Sequence, residues 1–171
     1  RGHPVTSVPA VAGRGGPWAG RKIVGRIVAT VGGLGYSPVA PGTLGTAAAI
    51  PLAWALRDVP PAAYVAIAVG VIAVAVWAAG EADAAWGTHD SRRIVVDEVA
   101  GYLVAASTIA RGDIWQLLAA FVLFRIADVV KPWPARTIDR AWPGGPGVVF
   151  DDVAAGAWAA VVLAILRRFV G

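Results

Sequence analysis

From Val59 to Gly80 the chain runs for 22 residues without one charged side chain (VPPAAYVAIAVGVIAVAVWAAG). A helix rising 1.5 Å per residue over that length reaches across a bilayer core of about 30 Å. A second uncharged stretch extends from Ile27 to Leu56. It contains GGLGYSPVAPGTLGT (32–46), five glycines and two prolines that no regular element accommodates, so its backbone groups must find local partners. The whole chain is 57% hydrophobic and only 15% charged. Soluble domains average about a quarter charged, so this chain is too apolar for a water-facing globule. Absence of cysteine excludes disulfides, thiolate metal sites and a cysteine nucleophile.

The charged residues punctuate the apolar runs. Residues 1–20 are Gly/Pro-rich without periodicity and are expected to form a disordered tail, with no signal-peptide pattern, ahead of one domain over 21–171. Residues 21–31 place Ile23, Val24, Ile27, Val28 and Val31 on one side of a helix and Lys22 and Arg26 on the other. Such a helix suits an anionic membrane surface or the outside of a bundle. Apolar helices are expected at 43–56, 61–80, 97–110, 114–130 and 151–168, with RDVPP (57–61) and Arg111-Gly112-Asp113 as tight turns and 81–96 as a polar turn. If these helices alternate in direction, segments 14–26, 81–98 and 125–152 share one side. Ten of the fifteen Lys and Arg residues then lie there, which makes that side cytoplasmic. The expected fold is all-α: a compact bundle of about six short helices, several membrane-embedded, with charged ends gathered on one side. Net charge is +4, but the basic residues form no continuous stripe, so no nucleic-acid partner is expected.

Carboxylates concentrate where apolar helices begin or end. Asp97-Glu98 and Asp151-Asp152 stand at expected helix N-termini, where one acid of each pair would suffice for capping. Neighbouring helical residues point about 100° apart, leaving the second acid free. Together with Asp128, these acids converging at one end of a bundle would bind a hard cation, most simply Mg²⁺. Arg125, Asp128 and Lys131 follow at i, i+3 and i+6, and Arg136, Asp139 and Arg140 repeat the mixture. Guanidinium and ammonium donors beside carboxylates are what a phosphate ester with a metal requires. GGPG (144–147) reads as a Gly-rich turn leading into a helix. With histidine only at 3 and 89, no Asp-x-Asp pattern at the cluster and no nucleophile-elbow serine, metal-assisted phosphoryl chemistry is what remains.

Four strings, SPVAPGTLGT (37–46), HDSRRIVVDEVAG (89–101), FRIADVVKPWP (124–134) and GGPGVVFDDVAAG (144–156), resemble the phosphatidylglycerophosphatase A family in content and order. The resemblance implies an integral-membrane, Mg²⁺-dependent phosphatase that converts phosphatidylglycerophosphate to phosphatidylglycerol at the inner (plasma) membrane. By position it marks Pro41, Gly42, Thr43, Asp97, Glu98, Arg125, Asp128, Lys131, Asp139, Asp151 and Asp152, without assigning roles. Our expectation is that Asp97, Glu98, Asp128, Asp151 and Asp152 include the metal ligands, with Asp97, Glu98, Asp128, Lys131 and Asp152 catalytic. Gly42, Thr43, Arg125, Lys131, Arg136 and Arg140 would bind the substrate phosphate, on the cytoplasmic side of a multi-pass protein with a phospholipid partner. A transporter or ion-conducting bundle is the alternative, and it expects charges spread through the membrane depth. A CDP-alcohol phosphotransferase would carry Asp-Gly-x-x-Ala-Arg, which is absent.

Overall fold

The computed structural model describes residues 17–109 and 114–170. The expected tail through residue 16 and the 111–113 turn lie outside these residues. Seven α-helices occur among the described residues: α1 (Pro17–Ala29), α2 (Pro41–Ala55), α3 (Pro61–Trp86), α4 (Val96–Ala106), α5 (Ile114–Val130), α6 (Ala135–Ala141) and α7 (Gly144–Val170). One 3-10 turn, Leu34–Tyr36, interrupts the uncharged loop between α1 and α2. That loop satisfies itself locally: Gly32 and Gly33 take positive φ, and the Thr30 hydroxyl accepts from the Gly33 N–H at 3.1 Å.

The fold is all-α, as expected, but two helices are longer than their apolar runs. α3 does not stop at Gly80; it continues through Glu81 and Asp83 because both acids have partners. Glu81 pairs with Arg21 of α1 at 2.7 Å. Asp83 is buried and accepts from Thr88 Oγ1 (3.2 Å) and the Asp90 N–H (3.0 Å). Gly87, left-handed at φ 66, then ends the helix. α7 begins at Gly144 rather than Asp151, so the Gly-rich string is helix and not turn. Its glycines serve close approach: a Cβ on Gly145 would strike the Val76 carbonyl, and one on Gly147 the Trp142 carbonyl. Pro146 sits in the first turn, where its missing N–H is not needed.

α4 is the centre of the bundle. It packs against α1, α2, α3, α5 and α7, and nearly all of its eleven residues are buried, which is why it is uncharged beyond its first turn. Its main neighbour is α7, and the two cross on glycine. A Cβ on Gly101 would lie 2.6 Å from both the Asp152 carbonyl and the Phe124 ring, and one on Gly156 would strike the Gly101 carbonyl. Near the far end of α4, Tyr64 donates to the Leu103 carbonyl (2.6 Å), and Tyr102 donates to the Leu117 carbonyl (2.9 Å). Helices α2, α4 and α7 lead away from one end of the bundle, and α3 and α5 lead toward it, which is the alternation anticipated from the charges.

α3 and α7 are each long and apolar enough to cross a membrane. α3 turns Ala68, Ala75, Ala78, Ala79 and Ala82 inward and leaves Val65, Val69 and Val74 exposed. Small residues inside and large apolar ones outside suit helix packing in lipid. α1 follows the same rule. Gly25 and Ala29 are buried, while Ile23, Val24 and Ile27, on the apolar side of the amphipathic pattern, are exposed.

The glycine crossing has a measurable consequence. Gly101→Val or Gly156→Val should destabilise the protein by about 1–3 kcal/mol or more through overpacking, read as a lower thermal midpoint in detergent. Gly70 of α3 has open space around it, and Gly70→Ala should stabilise by about 0.5–1 kcal/mol. Equal midpoints for all three variants would contradict this packing.

Candidate active site

Five segments meet at the end of the bundle from which α4 departs. They are the start of α2, the 88–95 loop, the first turn of α4, the last turns of α5 with Lys131, and α7 two turns in. Together they enclose a cavity of about 280 Å³ lined by Gly42, Thr43, Asp90, Arg92, Asp97, Glu98, Arg125, Asp128, Lys131, Asp151 and Asp152. The carboxylates and cations of the cavity thus sit together at one end of the helices, whereas a conducting bundle would spread such groups along its depth.

Capping does not explain the acids. The N-cap of α4 is Val95, with no side-chain cap, and its N–H donates to the Ala29 carbonyl at 2.8 Å. Asp151 and Asp152 lie well inside α7, which has no acid in its first turn. The glycine crossing places them instead. Asp97 precedes Gly101 by four residues, and Asp152 precedes Gly156 by four, so each acid shares a helix face with a contact glycine. Gly42 admits Glu98 to the same place, because a Cβ there would strike Glu98 Oε1.

The five carboxylates expected to hold a metal all line the cavity, but they divide into two sets. Asp97, Glu98 and Asp152 each offer an oxygen, and the three atoms lie within 4.8 Å of one another. Asp97 Oδ1, Glu98 Oε2 and Asp152 Oδ2 are buried without a hydrogen-bond partner. Buried like charges without donors are costly. Opposite oxygens around Mg²⁺ or Ca²⁺ are separated by about 4–5 Å, given metal–oxygen distances near 2.1–2.6 Å. The cluster therefore fits a hard divalent cation. Asp128 and Asp151 are already compensated: Arg125 Nη1 donates to Asp128 Oδ2 at 2.6 Å, and Lys131 Nζ donates to Asp151 Oδ2 at 2.6 Å and to Asp139 Oδ1 at 2.8 Å. Arg125 also approaches Glu98 Oε1 at 3.8 Å. Burial disfavours the Lys131 ammonium, yet its bonds to Asp139 and Asp151 outweigh that and hold it above the ordinary lysine range.

Gly42 and Thr43 open α2 at the cavity wall, where their N–H groups have no acceptor four residues back. Arg136 and Arg140 do not reach the cavity. Both are exposed on α6, and Arg136 Nη2 donates to the Val130 carbonyl at 3.4 Å. The contribution of α6 is Asp139, through Lys131. In their place stand Asp90 and Arg92, which sequence reasoning missed by treating 81–96 as a turn. Arg92 is exposed at the rim and makes no ion pair with any described residue. The signal was present in HDSRRIVVDE, where a polar run, 89–93, lies only three residues ahead of the acid pair.

Backbone strain gathers at this cavity too. Ala40 (φ 43), Asp90 (φ 55) and Lys131 (φ 48) are non-glycine residues in the left-handed region, come from three separate segments, and all line it. Each such residue costs of order 1–3 kcal/mol and persists where the surroundings over-determine it, which marks functional sites.

Residues 27–167 match the phosphatidylglycerophosphatase A family. The chain is 39% identical over 132 residues to phosphatidylglycerophosphatase A of Escherichia coli K12, covering 77% of this chain and 76% of that protein. It is 35% identical over 152 residues to a candidate phosphatidylinositol-3-phosphatase of Bacteroides thetaiotaomicron, covering 85% and 94% respectively. Phosphatidylglycerophosphatase A of Haemophilus influenzae is 38% identical over 85 residues, covering 49% of this chain and 52% of that one. No solved structure matches the chain. The family match takes in all five segments that wall the cavity, and with it the chain belongs to the phosphatidylglycerophosphatase A family, a family of phosphoric monoester hydrolases.

Proposed function

We propose that this protein hydrolyses the terminal phosphomonoester of phosphatidylglycerophosphate, releasing phosphate and phosphatidylglycerol, with Mg²⁺ held by Asp97, Glu98 and Asp152. The observation that carries this reading is the trio Asp97, Glu98 and Asp152, which offer oxygens within 4.8 Å of one another and each keep a buried oxygen without a hydrogen-bond partner, in a cavity also lined by Arg92, Arg125 and Lys131. Bound there, a divalent ion supplies charge neutralisation and polarisation for phosphoryl transfer.

The protein's own groups do the rest. Arg92, with no carboxylate partner among the described residues, takes the phosphate from the rim by charge-assisted hydrogen bonds. Lys131 and Arg125 add positive charge from the wall, each kept in place by its acid. The Thr43 hydroxyl and the first N–H groups of α2 face the same volume. Asp128 gives Oδ2 to Arg125, and its Oδ1 takes the proton from the attacking water. The apolar exteriors of α3 and α7, and Ile23, Val24 and Ile27 of α1, lie in lipid. The cavity then opens at the cytoplasmic face of the inner membrane, where the phosphate of a membrane lipid is found.

A second substrate is favoured by one comparison: the Bacteroides relative, named for a phosphoinositide substrate, aligns over 94% of its length. Phosphatidylinositol 3-phosphate therefore belongs in the assay. Purified protein in mixed micelles should release phosphate from phosphatidylglycerophosphate with Mg²⁺, and not with EDTA. Greater release from phosphatidylinositol 3-phosphate would transfer the assignment to that lipid, and no release from either would end it.

Two variants test the roles. Asp152→Asn should lower phosphate release at least about a hundredfold, as expected when a metal shell is disrupted. It should also abolish the rise in thermal midpoint that Mg²⁺ gives the wild type. Arg92→Ala should raise KM by roughly tenfold, the worth of one lost charge-assisted contact, with a smaller change in kcat. Wild-type Mg²⁺ stabilisation in Asp152→Asn would remove that residue from the metal site.

A further inference from the structure

A second, shallow and open cavity, of about 430 Å³, runs along the outer face of α5 and meets α2 at Thr43. Its walls are apolar apart from two residues, Thr43 and Arg125, and both also line the polar cavity. Arg125 is the joint between them. Its guanidinium is committed to Asp128 and Glu98 inside, so its methylene stem is what the groove can meet, as is usual for long basic side chains at an apolar boundary. Along α5 the groove continues over Val129, Ile126 and Val122, spaced so as to share one face, and all three are exposed. α5 runs toward the polar end, so Val129 is nearest to it. Val122 lies seven residues back, a distance of about 10 Å.

We propose that this groove seats an acyl chain of the lipid substrate, so that the enzyme holds the tail as well as the phosphate. The inference rests on the lipid-phosphatase reading above and deepens it. A ligand bridging the two cavities must be anionic at one end and apolar at the other, joined at Thr43 and Arg125. A phosphomonoester glycerolipid has that form, and a soluble phosphate ester has not. Packing one chain against the groove makes contacts away from the reacting phosphorus, which hold the lipid in register with the polar cavity.

The test is photolabelling of the full chain in mixed micelles under EDTA, so that no turnover is needed. The probe is phosphatidylglycerophosphate carrying a diazirine midway along one acyl chain. Label should concentrate on residues 121–130 and on the start of α2. Excess unlabelled phosphatidylglycerophosphate should compete it away, and phosphatidylcholine should not. Val122→Trp, whose larger ring occupies the volume the chain would take, should remove most of that labelling, whereas Val161→Trp on the exposed face of α7 should leave it unchanged. Label spread over the outer faces of α3 and α7, or equal competition by phosphatidylcholine, would overturn the proposal. The two readings fail separately. Groove labelling without phosphate release under Mg²⁺ supports the groove and faults the phosphatase assignment, while phosphate release with diffuse labelling does the reverse.

Discussion

Two helices can approach closely only where neither carries a side chain in the gap, and α4 and α7 meet on Gly101 and Gly156. Close van der Waals contact across these glycines is what holds the pair together. The contact also sets the distance between two carboxylates. Asp97 and Asp152 each lie one turn before the glycine of their own helix, and the crossing delivers both to the same end of the bundle. The chemistry of the site is a by-product of backbone proximity. A longer side chain at either glycine would open the gap and separate the acids without touching them.

The remaining charges follow from the burial this produces. Asp97, Glu98 and Asp152 each keep one buried oxygen without a partner, and the cations of the site are turned mainly to other acids. Arg125 goes to Asp128, with Glu98 Oε1 further off at 3.8 Å, and Lys131 is shared by Asp139 and Asp151. Arg92 is left at the rim for an anion from outside. The division is between positive groups fixed in the wall, a negative hollow in the floor and Arg92 at the mouth, without an ion pair to any described residue. It suits a dianionic ester better than a conducted ion, which would need charge along its path.

Much of this was legible in the chain. The 22-residue uncharged run marked α3, and the charged segments between apolar runs marked the end at which the site lies. Asp97, Glu98, Asp128, Lys131, Asp151 and Asp152 were legible as one constellation because acids are costly in so apolar a setting. Three things were not legible, each for a physical reason. The extension of α3 past Gly80 depends on Arg21 and on the 88–91 loop, partners remote in sequence or beyond the helix end. Glycine in GGPG reads as a turn by propensity, whereas tertiary contact with Val76 makes it helix. Arg136 and Arg140 belong to the same charge pattern as Asp139, and only the placement of α6 leaves them outside while Asp90 and Arg92 enter.

Anomalous diffraction from crystals soaked in Mn²⁺, a scatterer with the same preference for oxygen ligands as Mg²⁺, addresses the central claim most directly. The account requires a peak coordinated by Asp97, Glu98 and Asp152, beneath the α4–α7 glycine contact. A peak between Asp128 and Asp151 instead, or no peak in the cavity at saturating Mn²⁺, would contradict it.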